Sequence, residues 1–207
     1  MDTATETIIT EEILDEAFSY DAYTQLIDNL IGQDRTTNED NRPEMLEYTK
    51  LNIQRSTRWN KRAEISEELT TKLHEFPQKM IWLVITEGWC GDASQSLPFL
   101  NKMAELSENI DLKLILRDQY PDVMDAFLTN GSRSIPKLIA LNTESLDVIG
   151  TWGPRPVEAQ KTYMNERANP DIDNSKATEN LHLWYARNKG KAIQNEFMEL
   201  LDEWKRG

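Results

Sequence analysis

Five apolar residues in a row, Ile81-Trp82-Leu83-Val84-Ile85, lead through Thr86-Glu87-Gly88-Trp89 to Cys90, and Ala93-Ser94-Gln95-Ser96-Leu97 then opens a helical pattern. The apolar run reads as a buried strand and the following residues as a helix, so the chain contains a strand-to-helix turn with a thiol in it. A thiol at the first turn of a helix faces unpaired backbone N–H groups and the positive end of the dipole, and both favour thiolate. Cys90 is the only cysteine among 207 residues, which makes it the leading candidate for a reacting atom. Three residues on, where a redox helix carries its second thiol, stands Ala93.

The pattern around this turn alternates. Met80 to Thr86 is predicted as a strand, Ala93 to Leu106 as a helix containing Pro98, Leu112 to Leu116 as a second strand and Val123 to Leu128 as a short helix. Pro136 to Leu141 and Leu146 to Ile149 are predicted as two further strands joined by the hairpin Asn142-Thr143-Glu144-Ser145. Such an order predicts an α/β fold, a small mixed sheet with helices on both faces. Helical patterns flank it. Thr10 caps a helix carrying Ile13, Leu14, Ala17 and Phe18, with a break near Ser19 before Tyr23, Leu26 and Ile27. Gln33 to Asn41 reads as a loop, and Glu44 to Arg58 and Ala63 to Phe76 as two helices with Arg55, Arg58, Lys61 and Arg62 at their junction. A solvated helix end explains that basic cluster better than an anion site. Ile193, Phe197, Leu200, Leu201 and Trp204 give the last helix an apolar stripe suited to core packing. The expected organisation is a helical extension over 1–77, a core over 78–153 and a second helical extension over 154–207, together one compact domain.

Charge narrows the partners. There are 36 acidic against 23 basic residues, a formal charge of −13. Phosphate backbones and anionic lipid surfaces repel such a chain, so neither nucleic acid nor membrane is an expected partner. One cysteine forms no internal disulfide. The start, Met1-Asp2-Thr3-Ala4-Thr5-Glu6, lacks the basic and apolar parts of a secretion signal, and no segment nears the ~18 apolar residues of a membrane span; cytoplasm is the expected location. His74 and His182 have no cysteine or clustered acids at ligand spacing, so no metal is expected.

Taken in order, these parts resemble the thioredoxin fold over roughly Gln78 to Gly153. Trp89-Cys90-Gly91 resembles the start of the Trp-Cys-Gly-Pro-Cys motif, and Pro98 falls where thioredoxins kink the active-site helix. Arg133-Ser134-Ile135-Pro136-Lys137-Leu138 resembles the segment that places a cis-proline beside the reactive sulfur, and Gly150 fits the family's glycine after the last strand. The long flanks resemble a bacterial thioredoxin-like subfamily with helical extensions at both ends. The resemblance implies a cis bond before Pro136 and a backbone at Ile135 free to pair with a bound peptide or thiol.

Three departures limit what it implies. The resolving cysteine is Ala93, the motif proline is Asp92, and the buried aspartate six residues before the first cysteine is Val84. A two-cysteine reductase cycle within one chain is therefore excluded. Cys90 alone retains the first step of thiol–disulfide exchange, attack on a disulfide to give a mixed disulfide. Glutathione, another small thiol or a partner protein's cysteine then acts as resolver, with no bound cofactor. For that step Arg133 supplies positive charge or binds a glutathione carboxylate, or else it pairs with a surface acid. Trp89 shields the sulfur or offers a flat contact, and Asp92 serves the helix dipole while tending to raise the thiol pKa if both are buried. Gly88 and Gly91 read as turn residues. Two functions stay open: a monothiol oxidoreductase acting through Cys90, and a redox-inactive thioredoxin-fold binding or adaptor protein. One-cysteine peroxide reduction fits poorly, because peroxidatic cysteines occupy the place of Ala93.

Overall fold

A computed structural model describes residues 8–205; the acidic start, Met1 to Glu6, lies outside the described residues. The helices are α1 (Glu11–Glu16), α2 (Tyr20–Ile31), α3 (Pro43–Arg62) and α4 (Glu67–His74), then α5 (Gly91–Glu105) and α6 (Pro121–Ala126), and finally α7 (Val157–Ala168), α8 (Asn174–Asn188) and α9 (Lys191–Trp204). The strands are β1 (Met80–Thr86), β2 (Ile110–Leu116), β3 (Lys137–Asn142) and β4 (Val148–Trp152). They form one mixed sheet in the order β2-β1-β3-β4, with β1 parallel to β2 and antiparallel to β3, and β3 antiparallel to β4. This is the expected thioredoxin fold with helical extensions. Among the described residues, no helix is long and apolar enough to cross a membrane.

Strand β1 is buried along its whole length, as a central strand should be when its sequence is continuously apolar. Residues opposite one another in a ladder share a face. Trp82 pairs with Ala140 and Ala140 with Gly150, so one large and two small side-chain positions lie in a row. The aromatic stripe of α9 fills the space that row leaves. Trp82 lies 5.0 Å from Phe197 and 6.1 Å from Trp204, ring centre to ring centre, and Trp152 lies 5.7 Å from Phe197. The last helix is therefore core, as its stripe predicts. On the other side of β1, the free edge of β2 is partly covered by the amino-terminal extension: Phe18 and Leu114 exchange two backbone hydrogen bonds of 2.8 Å. A paired edge cannot recruit another chain.

Several boundaries differ from the sequence expectation. The chain from Ala63 to Ser66 is not helical; Ser66 caps α4 by accepting from the Leu69 amide. Helix α3 instead runs on to Arg62, which puts Arg55, Arg58, Lys61 and Arg62 on its last two turns rather than at a junction. Strand β4 begins at Val148, because Leu146 takes a left-handed φ of 58° in the hairpin turn. Gly150 therefore sits inside β4, not after it, and its lack of a side chain has a packing cause. A Cβ there falls 2.1 Å from Trp204 Nε1. Gly150→Ala should cost about 1–3 kcal/mol by overpacking, read as a lowered urea midpoint and a changed near-ultraviolet tryptophan signal.

Candidate functional site

Cys90 is the N-cap of α5. Its Sγ accepts from the Ala93 amide at 3.4 Å and donates to the Ile135 carbonyl at 3.3 Å. The Ile135–Pro136 bond is cis, as the resemblance implies, and both residues are buried. A second cis bond, Gly153–Pro154, has no forewarning in the sequence reading. The structure thus brings Trp89, Cys90, Gly91, Asp92, Ala93, Ile135 and Pro136 together. Ser134 flanks them, half-buried. Arg133 does not join them: it is exposed and its Nε donates to Asp125 at 2.6 Å, a surface pair eight residues away. Trp89 is half-buried and carries the Arg117 guanidinium over its ring at 4.7 Å, while its indole N–H has no hydrogen-bond partner.

The electrostatics of the thiol reverse the sequence expectation. Cys90 is only 7% exposed. Burial first, then the Asp92 charge, pushes the thiol up to about 12, while the amides of Ala93 and Asp92 and the Arg155 charge pull the other way. A rise from 9.0 to about 12 corresponds to roughly 4 kcal/mol against the thiolate. A helix end returns about 0.3–2 kcal/mol, so burial wins. With its proton in place the sulfur is a donor, and the Ile135 carbonyl is where it donates.

Asp92 is not a solvated dipole acid. It is buried, and three groups from the carboxy-terminal extension address it: Arg155 Nε donates at 2.8 Å, Arg155 Nη2 lies at 2.7 Å, and the Tyr185 hydroxyl donates at 2.8 Å. Burial pushes its carboxyl up; Arg155 and Tyr185 pull it back. Arg155 in turn stacks over Tyr163 at 4.5 Å and donates to Gln160 at 2.6 Å.

A second polar chain runs behind Gly91. Trp59 Nε1 donates to Gln95 Oε1 at 2.6 Å, Gln95 Nε2 faces His182 Nδ1 at 3.2 Å, and His182 Nε2 faces the Tyr48 hydroxyl at 3.3 Å. Because the Gln95 carbonyl is taken by Trp59, its amide NH2 faces the ring, so Nδ1 accepts and Nε2 carries the proton. Burial, with Arg55 and Arg155 adding, pushes His182 down to about 4 and keeps it neutral. Gly91 has to be small here, since a Cβ would lie 2.6 Å from the Tyr48 hydroxyl.

On the strand side, Glu87 is fully buried. Its Oε2 accepts from the Thr37 hydroxyl, its Oε1 accepts from the Asp118 amide at 3.1 Å, and its backbone carbonyl accepts from the Cys90 amide at 3.0 Å. Thr37 Oγ1 also accepts from the Gly88 amide at 3.1 Å, so the loop before α3 is fastened to the turn that carries the thiol. Asn52 of α3 does the same, donating to the Gly88 carbonyl at 3.3 Å. Sequence reasoning missed Glu87, Asn52, Arg155, His182 and Tyr185 as site residues. Only Arg155 left a local signal, an arginine between two prolines just after the last strand. Among the described residues no group of three or more histidine, cysteine or acidic side chains is placed to hold a metal.

The family model described as thioredoxin matches residues 39–171, more than half of the chain and well beyond the core expected from sequence. The chain belongs to that thioredoxin family. No curated protein matches it. Among solved structures, an HIV epitope-scaffold superposes with a TM-score of 0.56 at 17% identity, covering 93% of this chain and 96% of that one. A protein of unknown function from Pseudomonas aeruginosa superposes with a TM-score of 0.56 at 18% identity, covering 90% and 96%. At these identities the likeness concerns the fold alone.

Two outcomes follow from the buried charges. Burial raises Glu87 from 4.5 to about 7. Below 4.5 both folded and unfolded chains hold the proton; between 4.5 and about 7 only the folded chain does, so stability falls as pH rises. The loss levels off above 7 at about 3 kcal/mol. Glu87→Gln should flatten that slope in denaturant unfolding between pH 4.5 and 8. Arg155→Met strands the Asp92 carboxylate and should cost about 3–5 kcal/mol, with Asp92→Asn in the same chain recovering much of it; urea midpoints measure both.

Proposed function

We propose that this thioredoxin-fold chain is a binding protein that keeps the family's site without its redox cycle. The carrying observation is the state of the sulfur: Cys90 is buried, donates to Ile135 and stands beside the Asp92 carboxylate, with Ala93 where a resolving thiol belongs. A nucleophile needs the thiolate. Each of these contacts favours the thiol. The extensions support the same reading, since they pack on the turn that carries the thiol from both ends of the chain.

A second reading is thiol–disulfide exchange through a mixed disulfide at Cys90, released by an external thiol in the cytoplasm. One observation favours it: Cys90 lines an open cavity, so its position is not sealed on every side. The subfamily resemblance, a one-cysteine motif in bacterial proteins with long flanks, is compatible with either.

Mass spectrometry after incubation with oxidised glutathione separates the two. The binding reading expects no glutathione adduct on the native protein and a Cys90 alkylation rate that keeps rising well above the ~8.5 of a free thiol. An adduct that dithiothreitol removes, together with a thiol pKa below that of a free cysteine, would overturn it.

A further inference from the structure

A cavity of about 180 Å³ lies between α2, α3 and the start of α5. Helices of the amino-terminal extension supply most of its wall, and Cys90 belongs to its buried end together with Tyr23, Asn52 and Ser94. Its outer rim is exposed and consists of Asp28, Thr57 and Asn60. Two properties define what fits. The lining combines the aliphatic side chains of Ile27, Ile53 and Leu97 with hydroxyls, amides and the carboxyl groups of Asp28 and Glu87, and contains no lysine, arginine or histidine. Arg55 is not in the lining; it donates to the lining residue Asn52 at 2.8 Å and lies over Tyr48 at 5.6 Å. Among the described residues Asp28 has no ion-pair partner, whereas Glu87 is held by Thr37 and Asp118. An unpaired carboxylate therefore stands at the mouth of a cavity of mixed polar and aliphatic lining that contains no cationic side chain.

We infer that this cavity binds a small organic ammonium compound, its cation at Asp28 and its further hydrogen-bonding groups directed inward toward Ser56, Asn52 and Ser94. The inference rests on the binding reading proposed above and gives that reading a ligand class. Size excludes large occupants, since drug-sized ligands take about 300–1,000 Å³. Charge disfavours glutathione and other carboxylate-bearing thiols, because an anion entering here passes the Asp28 carboxylate and meets no lysine, arginine or histidine in the lining. Depth gives Cys90 a role consistent with its protonated state: it forms part of the floor on which the ligand ends.

The test uses the full chain and three sulfur-free probes of similar size: ethanolamine as the cation, ethylene glycol as the neutral and glycolate as the anion. Protein amide NMR shifts at Gly88, Cys90 and Ser94 report occupancy at millimolar concentrations. Ethanolamine should shift these amides saturably, ethylene glycol should do so more weakly, and glycolate should leave them in place. Asp28→Asn should weaken ethanolamine roughly three- to fivefold, the range of a rim ion pair, and Thr57→Lys, which puts an ammonium at the mouth, should abolish its effect. Both changes are at exposed positions, so the fold is preserved for the comparison. Glycolate binding as well as ethanolamine, an unchanged response in Thr57→Lys, or no response to any probe would each overturn the inference. Failure of the binding reading is a covalent mass gain with oxidised glutathione, which these probes cannot produce, so the two failures are told apart.

Discussion

The carboxylate of Asp92 is the constraint on which the arrangement around Cys90 depends. A buried ionised group costs several kcal/mol unless it is paired and hydrogen-bonded, and none of its partners comes from its own helix. Arg155 lies just past β4 and Tyr185 lies in α8, so the site is complete only when the carboxy-terminal extension has docked on the first turn of α5. The same carboxylate raises the thiol beside it. One side chain thereby ties an extension to the core and adds to burial in favouring the protonated sulfur.

The amino-terminal extension is fastened by an analogous device built from neutral donors. Thr37 bridges Glu87 and the Gly88 amide, Asn52 takes the Gly88 carbonyl, and Ser56 donates to the Ser94 carbonyl at 3.4 Å. These bonds satisfy backbone groups of the strand-to-helix turn and of the first turn of α5. Helix α3, laid along α5, is thus both the lid of the thiol and the wall of the cavity.

Local signals made the fold legible. β1 is found over the predicted residues because a continuous apolar run has one solution in a central strand, and Thr10 and Ser19 cap α1 and α2 because short hydroxyl side chains satisfy helix amides without long-range help. β4 was displaced by a left-handed Leu146 that no pattern of apolar residues announces. The site was legible in its identity and illegible in its chemistry. Cys90, Ile135 and Pro136 meet as their spacing in the motif implies. Burial and the Asp92 charge keep the proton on the sulfur, and the groups that hold Asp92 in that burial come from positions 63 and 93 residues beyond it, where no periodicity reaches. Reading the helix end alone therefore gave the smaller electrostatic effect and missed the larger one.

Val84 shows why the departures from a two-thiol site belong together. It pairs with Leu138, and Leu138 with Trp152, so it shares a face with Trp82 and the aromatic residues of α9. An ionisable group at that position has a use only when a resolving thiol nearby must gain and lose a proton. With Ala93 in place of that thiol, a carboxylate at position 84 would add desolvation cost without a function to offset it. An apolar residue instead completes the packing of the sheet on α9. The buried acids Asp92 and Glu87 both lie at the turn where the extensions attach, and each accepts hydrogen bonds from an extension.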